Sequence, residues 1–520
     1  MHNQNVLTAI MKLFLSLLLI IQTSCLMSQN SITLRPDPSS PVISRHIYGH
    51  FAEHLGRCIY DGFYVGEKNT SIPNKDGIRL DVVDALKKLK IPNLRWPGGC
   101  FADTYHWKDG IGPKEKRPTI VNVWWGGVTE TNAFGTHDFL NMCEMLGTEP
   151  YLTGNVGSGT VQEMADWVQY VNFSGQSPMS DLRRTNGRDK PWKVKFWGVG
   201  NEAWGCGGNM RAEYYADEYR KYATFISDWD RSGGLFRIAS GANSSDYHWT
   251  EVLMKNIPLQ LLDAVALHHY AVIDWNKKGS ATKFSEEEYF ITMEKTLLMD
   301  SLVTKHARIM DKYDPQKKVA LFVDEWGAWY EVEPGTNPGF LFQQNTIRDA
   351  MVAGVTLNIF NNHADRVRMA NIAQAVNVLQ AVVLTEGNKL LLTPTYHVME
   401  MFNVHQDAKL VPLDVKSGDY SFQGKKLPSI SASASIDSSN RMHISLVNIN
   451  ANQNQEVRIT VDKTSKKVSG RILHSPQLQD HNTFANLQAI SPKTFNGFKV
   501  DKNVLVVNLP AHSVVVLELQ

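Results

Sequence analysis

The chain has 520 residues, a formal net charge of +1 and a hydrophobic fraction of 43%. At roughly 100–200 residues per domain, this length allows one large domain and a smaller one. Disorder as the dominant state would need a lower hydrophobicity and a larger net charge. A near-neutral chain also lacks the basic surface that is typical of a nucleic-acid binder. The composition therefore predicts a folded protein whose ligand is not recruited by overall charge, and no nucleic-acid partner.

The first 29 residues have the pattern of a signal peptide. Lys12 precedes an apolar run over residues 13–21 that only a serine interrupts, and small and polar residues follow. The run is short for a bilayer span, and Met11 can serve as the start of the leader. The pattern predicts a secreted or periplasmic protein and leaves open a lipid anchor through Cys25. A buried N-terminal helix is the alternative. No later apolar run approaches 18 residues, so no membrane span is predicted after the leader.

Four cysteines follow the leader, at positions 58, 100, 143 and 206. They are scattered over the chain, and none has the paired spacing of a CxxC motif. They do not form the framework of a disulfide-rich fold. Secretion would permit a bridge, but the sequence does not indicate which of Cys58, Cys100, Cys143 and Cys206 would pair.

Short apolar runs alternate with amphipathic helical stretches from about residue 45 onward. This alternation, repeated eight times, predicts a (β/α)8 TIM barrel over residues 47–406, an α/β fold. The predicted strands are residues 46–50, 93–96, 150–155, 194–200, 237–241, 264–270, 319–323 and 367–374. A doubly wound sheet would instead need a phosphate-binding loop early in the chain. The glycines at 154, 157 and 159 lack the order of that motif, which favours a barrel turn.

The pattern changes after residue 406. Residues 442–448, 455–461 and 504–509 alternate or are apolar, with polar turn residues between them, and no long helical pattern appears. These features predict a C-terminal antiparallel β-sandwich domain over residues 407–520. Residues 30–46 contain one more strand pattern, which we expect to lie outside the barrel and to join the C-terminal sheet.

Two predicted strand ends carry a glutamate among aromatic residues and glycines. Glu202 follows the fourth predicted strand, and Glu325 follows the seventh. Functional residues of barrel enzymes lie at this end of the strands. One such glutamate alone is more often a surface or capping residue. Two of them facing across a barrel mouth are the groups that glycoside hydrolysis needs, because one can act as an acid and the other as a nucleophile.

The segments around these glutamates resemble the α-L-arabinofuranosidases of glycoside hydrolase family 51, which are retaining (β/α)8 glycosidases. Gly200-Asn201-Glu202 is similar to the acid/base signature of that group, and Asp324-Glu325-Trp326 is similar to the nucleophile signature. Three further segments support the resemblance, at residues 49–56, 95–101 and 371–377. The resemblance covers nearly the whole chain after the leader.

The resemblance implies a role for each matching residue. Glu202 would be the general acid/base and Glu325 the nucleophile. Arg95 and His268 would support the nucleophile, and Tyr270 would help to keep it ionised and oriented. The residues implied in substrate binding are Glu53, Cys100, Asn201, Tyr270 and Gln374.

Several of these residues have a simpler explanation. Arg95 could be a structural ion-pair residue, and both roles can hold together. Cys100 could be an inert buried thiol. The adjacent His268 and His269 could indicate a metal, but no carboxylate or third histidine stands at ligand spacing nearby, so neither a metal nor a cofactor is predicted. Trp125, on a loop with Trp124 and two glycines, is predicted at the rim of the pocket.

The sequence thus predicts an exo-acting, retaining enzyme that removes terminal non-reducing α-L-arabinofuranosyl residues. The expected partners are arabinoxylan, arabinan and arabino-oligosaccharides. The alternatives are an endo-glucanase or a β-xylosidase with the same groups, or a non-catalytic carbohydrate-binding barrel. The presence of both Glu202 and Glu325 argues against the last of these. Linkage preference and homo-oligomer formation stay open.

Overall fold

The computed structural model describes residues 30–228, 234–461 and 467–520. The predicted leader, including Cys25, lies outside the described residues. The described chain begins with strand β1 (Asn30–Leu34), which lies apart from the barrel. None of the described helices is both long and apolar enough to cross a membrane.

Eight parallel strands close into a barrel in which neighbours in the chain are also neighbours in space. Their bounds are β2 (Gly49–Phe51), β3 (Asn93–Trp96), β4 (Glu149–Gly154), β5 (Phe196–Val199), β6 (Phe236–Asn243), β7 (Ala264–Ala271), β8 (Ala320–Ala328) and β9 (Val367–Ile372). All nine residues of β8 and all four of β5 are buried. Strands covered on both faces have continuous apolar runs, which is why the sequence pattern revealed them. The predicted (β/α)8 barrel is confirmed.

The first barrel strand begins later than predicted. Arg45–Tyr48 form a turn of 3-10 helix, because the Ser44 side chain accepts a hydrogen bond from the backbone N–H of His46. Ile47 and Tyr48 are buried in this turn. A short apolar run does not by itself distinguish a strand from a helical turn, and this ambiguity explains the offset.

Nine helices of the described chain surround the barrel or join it to the C-terminal domain. They are α1 (Leu80–Leu89), α2 (Thr136–Leu146), α3 (Val161–Asn172), α4 (Pro178–Thr185), α5 (Ala212–Phe225), α6 (Tyr247–Asn256), α7 (Glu286–Tyr313), α8 (Ile347–Asn362) and α9 (Pro394–Phe402). Helix α8 is buried along nearly its whole length because the C-terminal domain covers it. A Cβ atom on Gly354 would lie 2.9 Å from the Val447 side chain, so glycine permits this close packing.

The C-terminal domain consists of two packed sheets. The strands of these sheets after the barrel are β10 (Lys409–Leu410), β11 (Leu413–Lys416), β12 (Ile430–Ile436), β13 (Met442–Asn448), β14 (Gln455–Thr460), β15 (Val468–Leu473), β16 (Lys493–Thr494), β17 (Phe498–Asp501), β18 (Val504–Leu509) and β19 (Ser513–Leu519). Asp419–Phe422 and Lys425–Pro428 form a separate hairpin. One sheet has the order β11-β1-β14-β18-β17, and the other has the order β10-β12-β13-β19-β15-β16. Pairing is antiparallel except between β1 and β14, which are parallel. The predicted C-terminal sandwich is confirmed.

Strand β1 contributes to the core between these sheets. Ile32 is 1% exposed and belongs to the same apolar cluster as Ile459 and Leu517. We expect Ile32→Ala to lower the free energy of unfolding by about 2–5 kcal/mol, because it leaves a cavity in this core. The neighbouring exposed Thr33 provides a matched control, and Thr33→Ala should change the free energy of unfolding by no more than about 0.5 kcal/mol. Urea unfolding followed by circular dichroism measures both. Equal effects of the two substitutions would contradict a structural role for β1.

Candidate active site

The site lies where the barrel strands end, and three strands, β3, β7 and β8, supply the groups around Glu325. Glu325 is near the end of β8, and Arg95 is in β3. His268 and Tyr270 are on β7, where His268 pairs with Glu325 across the two strands. The register of β7 against β8 shifts just before this pair. Such bulges re-aim side chains, and they are common next to active sites.

Glu325 is 6% exposed and accepts two hydrogen bonds. Its Oε1 accepts from Nη1 of Arg95 at 2.8 Å, and its Oε2 accepts from the Tyr270 hydroxyl at 2.8 Å. Burial raises the pKa of Glu325, but the positive charges of His268 and Arg95 and the two hydrogen bonds outweigh burial and lower the pKa below its ordinary value. The site therefore holds Glu325 as a carboxylate.

Arg95 connects Glu325 to the loop after β5. Its side chain is 1% exposed, its Nη2 donates to Oδ1 of Asn201 at 2.6 Å, and its Nε lies 4.0 Å from Asp324. The guanidinium also lies over the Phe51 ring, 4.5 Å from its centroid. A buried charge needs close partners, and Arg95 has two carboxylates. It is thus an ion-pair residue and a contact of Glu325 at the same time.

Glu202 follows β5 on a tight loop. Its φ is +40°, in the left-handed region, and its carbonyl accepts hydrogen bonds from the backbone N–H groups of Gly205 and Gly207 at 2.7 and 3.1 Å. Nδ1 of His268 lies 2.9 Å from Oε1 of Glu202 and 3.6 Å from Oε2 of Glu325. His268, which was predicted to support the nucleophile, therefore contacts both carboxyl groups and lies closer to Glu202.

The two glutamates face each other across the mouth. One carboxyl oxygen of Glu202, one of Glu325 and a ring nitrogen of His268 all lie within 4.8 Å of one another. Carboxyl groups about 5–5.5 Å apart are typical of retaining glycosidases, whereas inverting enzymes need about 6.5–9.5 Å. The geometry is that of a retaining pair.

Burial lowers the pKa of His268, but the charge of Glu325 and the hydrogen bond with Glu202 raise it overall.

Glu53, Trp125 and Gln374 form the other side of the mouth. Oε1 of Glu53 accepts from the Trp125 indole at 3.0 Å and from the Phe101 backbone N–H at 3.3 Å, and Oε2 accepts from the Gln374 amide at 2.6 Å. Burial, together with the charge of Glu325, raises the pKa of Glu53 to about 8. Oε1 of Gln374 is buried and has no hydrogen-bond partner among the described residues, so it can accept a ligand hydroxyl. A Cβ atom on Gly99 would lie 2.7 Å from Glu53, so the chain needs glycine there.

These groups enclose a cavity of about 100 Å³ that adjoins a groove of about 520 Å³. Glu202, Tyr270 and Trp329 line both spaces, whereas Glu325 and Glu53 line only the smaller one. The smaller space is well below the ~300–1,000 Å³ of pockets for drug-sized ligands. Trp204 and Trp275 line the groove, and Trp275 is 60% exposed. Glu202 therefore stands at the boundary between a small pocket and a larger groove lined by tryptophans.

Cys100 lines the small cavity, but its sulfur forms a disulfide bond with Cys206. It is therefore not a thiol in this structure. Cys58 and Cys143 are free and buried. The sequence did not indicate the pair, because Cys100 and Cys206 are 106 positions apart and come together only through the barrel.

Asp103 is a buried residue that the sequence did not single out. Its carboxylate accepts hydrogen bonds from three backbone N–H groups at 2.8–2.9 Å, those of Val156, Gly157 and Asn201. It therefore fixes the loops after β4 and β5 to the segment after β3. A motif search could not detect this residue, because its partners are main-chain groups and leave no side-chain signature.

Two groups of side chains in the described residues bring potential metal ligands within 4.8 Å. They are Glu202, His268 and Glu325, and Cys100, Glu202 and Cys206. In the first group the side chains are engaged with one another and with Arg95 and Tyr270. In the second group the two sulfurs are bonded to each other, so they do not offer thiolates. Neither group supports a metal assignment.

Fold and site together define a retaining glycoside hydrolase on a TIM barrel. Two family models match the chain: "Alpha-L-arabinofuranosidase 1 domain" over residues 85–287 and "Alpha-L-arabinofuranosidase C-terminal domain" over residues 324–513. An intracellular exo-α-L-arabinofuranosidase of Bacteroides ovatus is 52% identical over 98% of this chain and 99% of its own length.

Solved structures agree with these matches. A GH51 arabinofuranosidase of Xanthomonas axonopodis pv. citri is 48% identical, with a TM-score of 0.93, over 95% of this chain and 100% of that one. An α-L-arabinofuranosidase of Thermotoga maritima, solved as an arabinose complex, is 31% identical, with a TM-score of 0.82, over 94% and 99%. The chain belongs to the α-L-arabinofuranosidases of glycoside hydrolase family 51.

The family resemblance, the enzyme class and the exo-acting, retaining arabinofuranosidase function predicted from the sequence are confirmed, and the alternatives are not favoured. The prediction of a secreted or periplasmic protein is contradicted, because the Bacteroides ovatus relative, which matches nearly the whole chain, is named intracellular. The apolar run at residues 13–21 resembled an h-region, but such a run is not specific to exported proteins.

Proposed function

We propose that Glu202 and Glu325 release single α-L-arabinofuranosyl residues from arabinose-containing polysaccharides and oligosaccharides by double displacement. The observation that carries this proposal is the division of the site: Glu325 lines only the small cavity, whereas Glu202 lines both the cavity and the groove. A sugar ring in the cavity presents its anomeric carbon to Glu325. The leaving group then extends past Glu202 into the groove.

In the first step the Glu325 carboxylate attacks the anomeric carbon. Arg95 and Tyr270 hold it ionised and aimed by donating to its two oxygens. Protonated Glu202 donates its proton to the glycosidic oxygen as that bond breaks. The product is a glycosyl ester on Glu325 and a free leaving group.

In the second step water releases the sugar. Glu202 gave up its proton in the first step and is now a carboxylate, and esterified Glu325 no longer carries a negative charge beside it. Glu202 then removes a proton from the water that attacks the anomeric carbon, and the configuration is retained. His268, within hydrogen-bond distance of Glu202, is placed to respond to this change of charge.

Recognition of the sugar falls to the polar groups of the small cavity. The family resemblance implies that Asn201, which accepts a hydrogen bond from Arg95, binds the 2-hydroxyl next to the anomeric carbon. Glu53 and the unpartnered Oε1 of Gln374 accept from other hydroxyls. Because this cavity is small, we expect it to hold one terminal ring and to exclude a chain that continues in both directions.

The groove provides the space for the leaving group. Its volume of about 520 Å³ and its tryptophans suit the apolar faces of further sugar units.

We expect Glu202→Ala to depress kcat/KM on an arabino-oligosaccharide by about 10²–10⁴-fold, the range that general acid–base catalysis contributes. An aryl arabinofuranoside with a good leaving group needs no proton from Glu202, so its first step should change much less. Azide should restore turnover of the aryl substrate, because azide attacks the ester without a general base.

The exposed Glu287 on α7 provides the control, and Glu287→Ala should leave both substrates unaffected. An equal loss on both substrates in Glu202→Ala, without rescue by azide, would remove Glu202 from the acid/base role.

We expect Tyr270→Phe to move the acid limb of the kcat/KM–pH profile to higher pH by about one unit. The hydroxyl stabilises the ionised form of Glu325, so its loss raises the pKa of Glu325, and the nucleophile is protonated at a pH where the parent enzyme is still active. A hydrogen bond to a charged group contributes about 1.5–3 kcal/mol, and 1.36 kcal/mol corresponds to one unit. Initial rates from pH 3 to 9 measure the shift.

Tyr313 provides a matched control, because its hydroxyl also hydrogen-bonds a glutamate, Glu251, at 3.2 Å, at the end of α7 that is remote from the site. Tyr313→Phe should leave the profile unchanged. An acid limb that stays in place or moves to lower pH in Tyr270→Phe would show that this hydroxyl does not tune the nucleophile.

A further inference from the structure

The loop that carries Asn201 and Glu202 is tied to the segment after β3 by two links. The Asp103 carboxylate accepts from the backbone N–H of Asn201 at 2.9 Å, and Cys206 is bonded to Cys100. Asp103 and Cys100 are on the same short stretch of 3-10 helix, Cys100–Thr104. One rigid segment therefore holds the loop on both sides of Glu202.

The disulfide sulfur of Cys206 lies directly against the reacting groups. It is 3.6 Å from Oε2 of Glu202 and 3.8 Å from Nδ2 of Asn201. A sulfur in a disulfide bond carries no hydrogen, so its contact with Glu202 is one of van der Waals packing. Cys206 thus touches the two residues of the loop that act on the substrate, without donating a proton to either.

The backbone of this loop needs such support. Glu202 has a positive φ, a conformation that non-glycine residues keep only when their surroundings enforce it. Gly207, next to Cys206, approaches the loop so closely that a Cβ atom there would lie 1.9 Å from the Asn201 carbonyl oxygen. The disulfide closes the loop at the position adjacent to this contact.

We propose that Cys206, held by Cys100, is a positioning residue for Glu202 and Asn201, and that the redox state of the pair sets how well Glu202 donates its proton. The proposal rests on the acid/base role proposed above for Glu202. Both cysteines are partly exposed, and Cys100 lines the cavity, so a small thiol reagent can reach them. The free Cys58 and Cys143 are fully buried.

Reduction by a small-molecule dithiol breaks the S–S bond. Each protein sulfur gains one electron and one proton, and the reagent is oxidised to its own disulfide. Two changes follow at the site. The loop loses its covalent link to the segment after β3, and Cys206 gains an S–H that can donate to the adjacent oxygen of Glu202. Donation to the carboxylate favours its ionised form, which cannot protonate a leaving group.

The test compares oxidised and dithiothreitol-reduced enzyme on the two substrates used for Glu202. Alkylation with iodoacetamide and mass spectrometry of parallel samples establish the state of Cys100 and Cys206. Reduction should lower kcat/KM on the arabino-oligosaccharide by about tenfold or more, toward the loss expected for a displaced general acid. The aryl substrate should change less than about twofold, and reoxidation should restore the oligosaccharide rate.

Three variants sharpen this comparison. Cys206→Ala removes the link and adds no donor, so it should show the selective loss that the broken link alone causes. Cys206→Ser also adds a hydroxyl donor and should show a larger selective loss. Neither variant should respond to dithiothreitol. Cys143→Ser leaves the site untouched and should respond to dithiothreitol as the parent does. Near-UV circular dichroism confirms that each protein is folded.

Reduction that changes neither rate, or lowers both equally, would overturn the proposal, because the disulfide would then be irrelevant to the site or purely structural. A pair that resists reduction is judged by Cys206→Ala on the same criterion. The Glu202→Ala variant distinguishes a failure of the acid/base role of Glu202 from a failure of the positioning role of Cys206. If it shows no dependence on the leaving group, the acid/base role itself fails. If it does and the Cys206 variants do not, only the positioning role fails.

Discussion

The guanidinium of Arg95 is buried at the centre of the barrel mouth, and its need for partners organises the site. An unpaired charge in this position would be prohibitively costly, so the structure places carboxylates around it. Glu325 is one partner and Asp324 is the other. Asp324 in turn accepts from the Tyr151 hydroxyl at 2.6 Å and from the Asn371 amide at 3.3 Å. One polar network thus links β3, β4, β8 and β9.

The burial of Arg95 also explains why the two glutamates have different roles. Two cations, Arg95 and His268, keep Glu325 ionised although it is buried. Glu202 has no direct contact with Arg95 among the described hydrogen bonds and ion pairs, and it instead hydrogen-bonds with His268. Two carboxyl groups close together thereby have different surroundings, which is how such pairs divide the roles of nucleophile and acid. In the proposed mechanism the sugar occupies the small cavity beside Glu325, and the leaving group occupies the larger groove beside Glu202.

Much of this arrangement could be predicted from the sequence because parallel barrel strands are buried on both faces and end at one edge. The apolar runs before Glu202 and Glu325 indicated the strands, and their order placed the two glutamates across the mouth. The pattern was less informative at residues 45–48, where a segment with only two apolar residues, capped by Ser44, forms a 3-10 helix. The N-terminal run resembled a leader, yet a nearly full-length relative is named intracellular.

Contacts between groups that are far apart in the sequence could not be predicted from residue patterns. Three such contacts depend on how loops from different strands meet. They are the disulfide between Cys100 and Cys206, the hydrogen bonds from three N–H groups to Asp103, and the hydrogen bond from the Trp125 indole to Glu53. Sequence spacing does not encode such meetings, because each loop has its own length and turn. These are also the contacts that adjust the site rather than define it.

The proposed mechanism requires the negatively charged Glu325, held by Arg95, to form a covalent bond with the sugar. Its most direct test is to trap the enzyme with a fluoro-arabinofuranosyl donor that reacts quickly and hydrolyses slowly, and to map the modified peptide by mass spectrometry. We expect one added sugar per chain, attached to Glu325. A sugar attached to any other residue would contradict it.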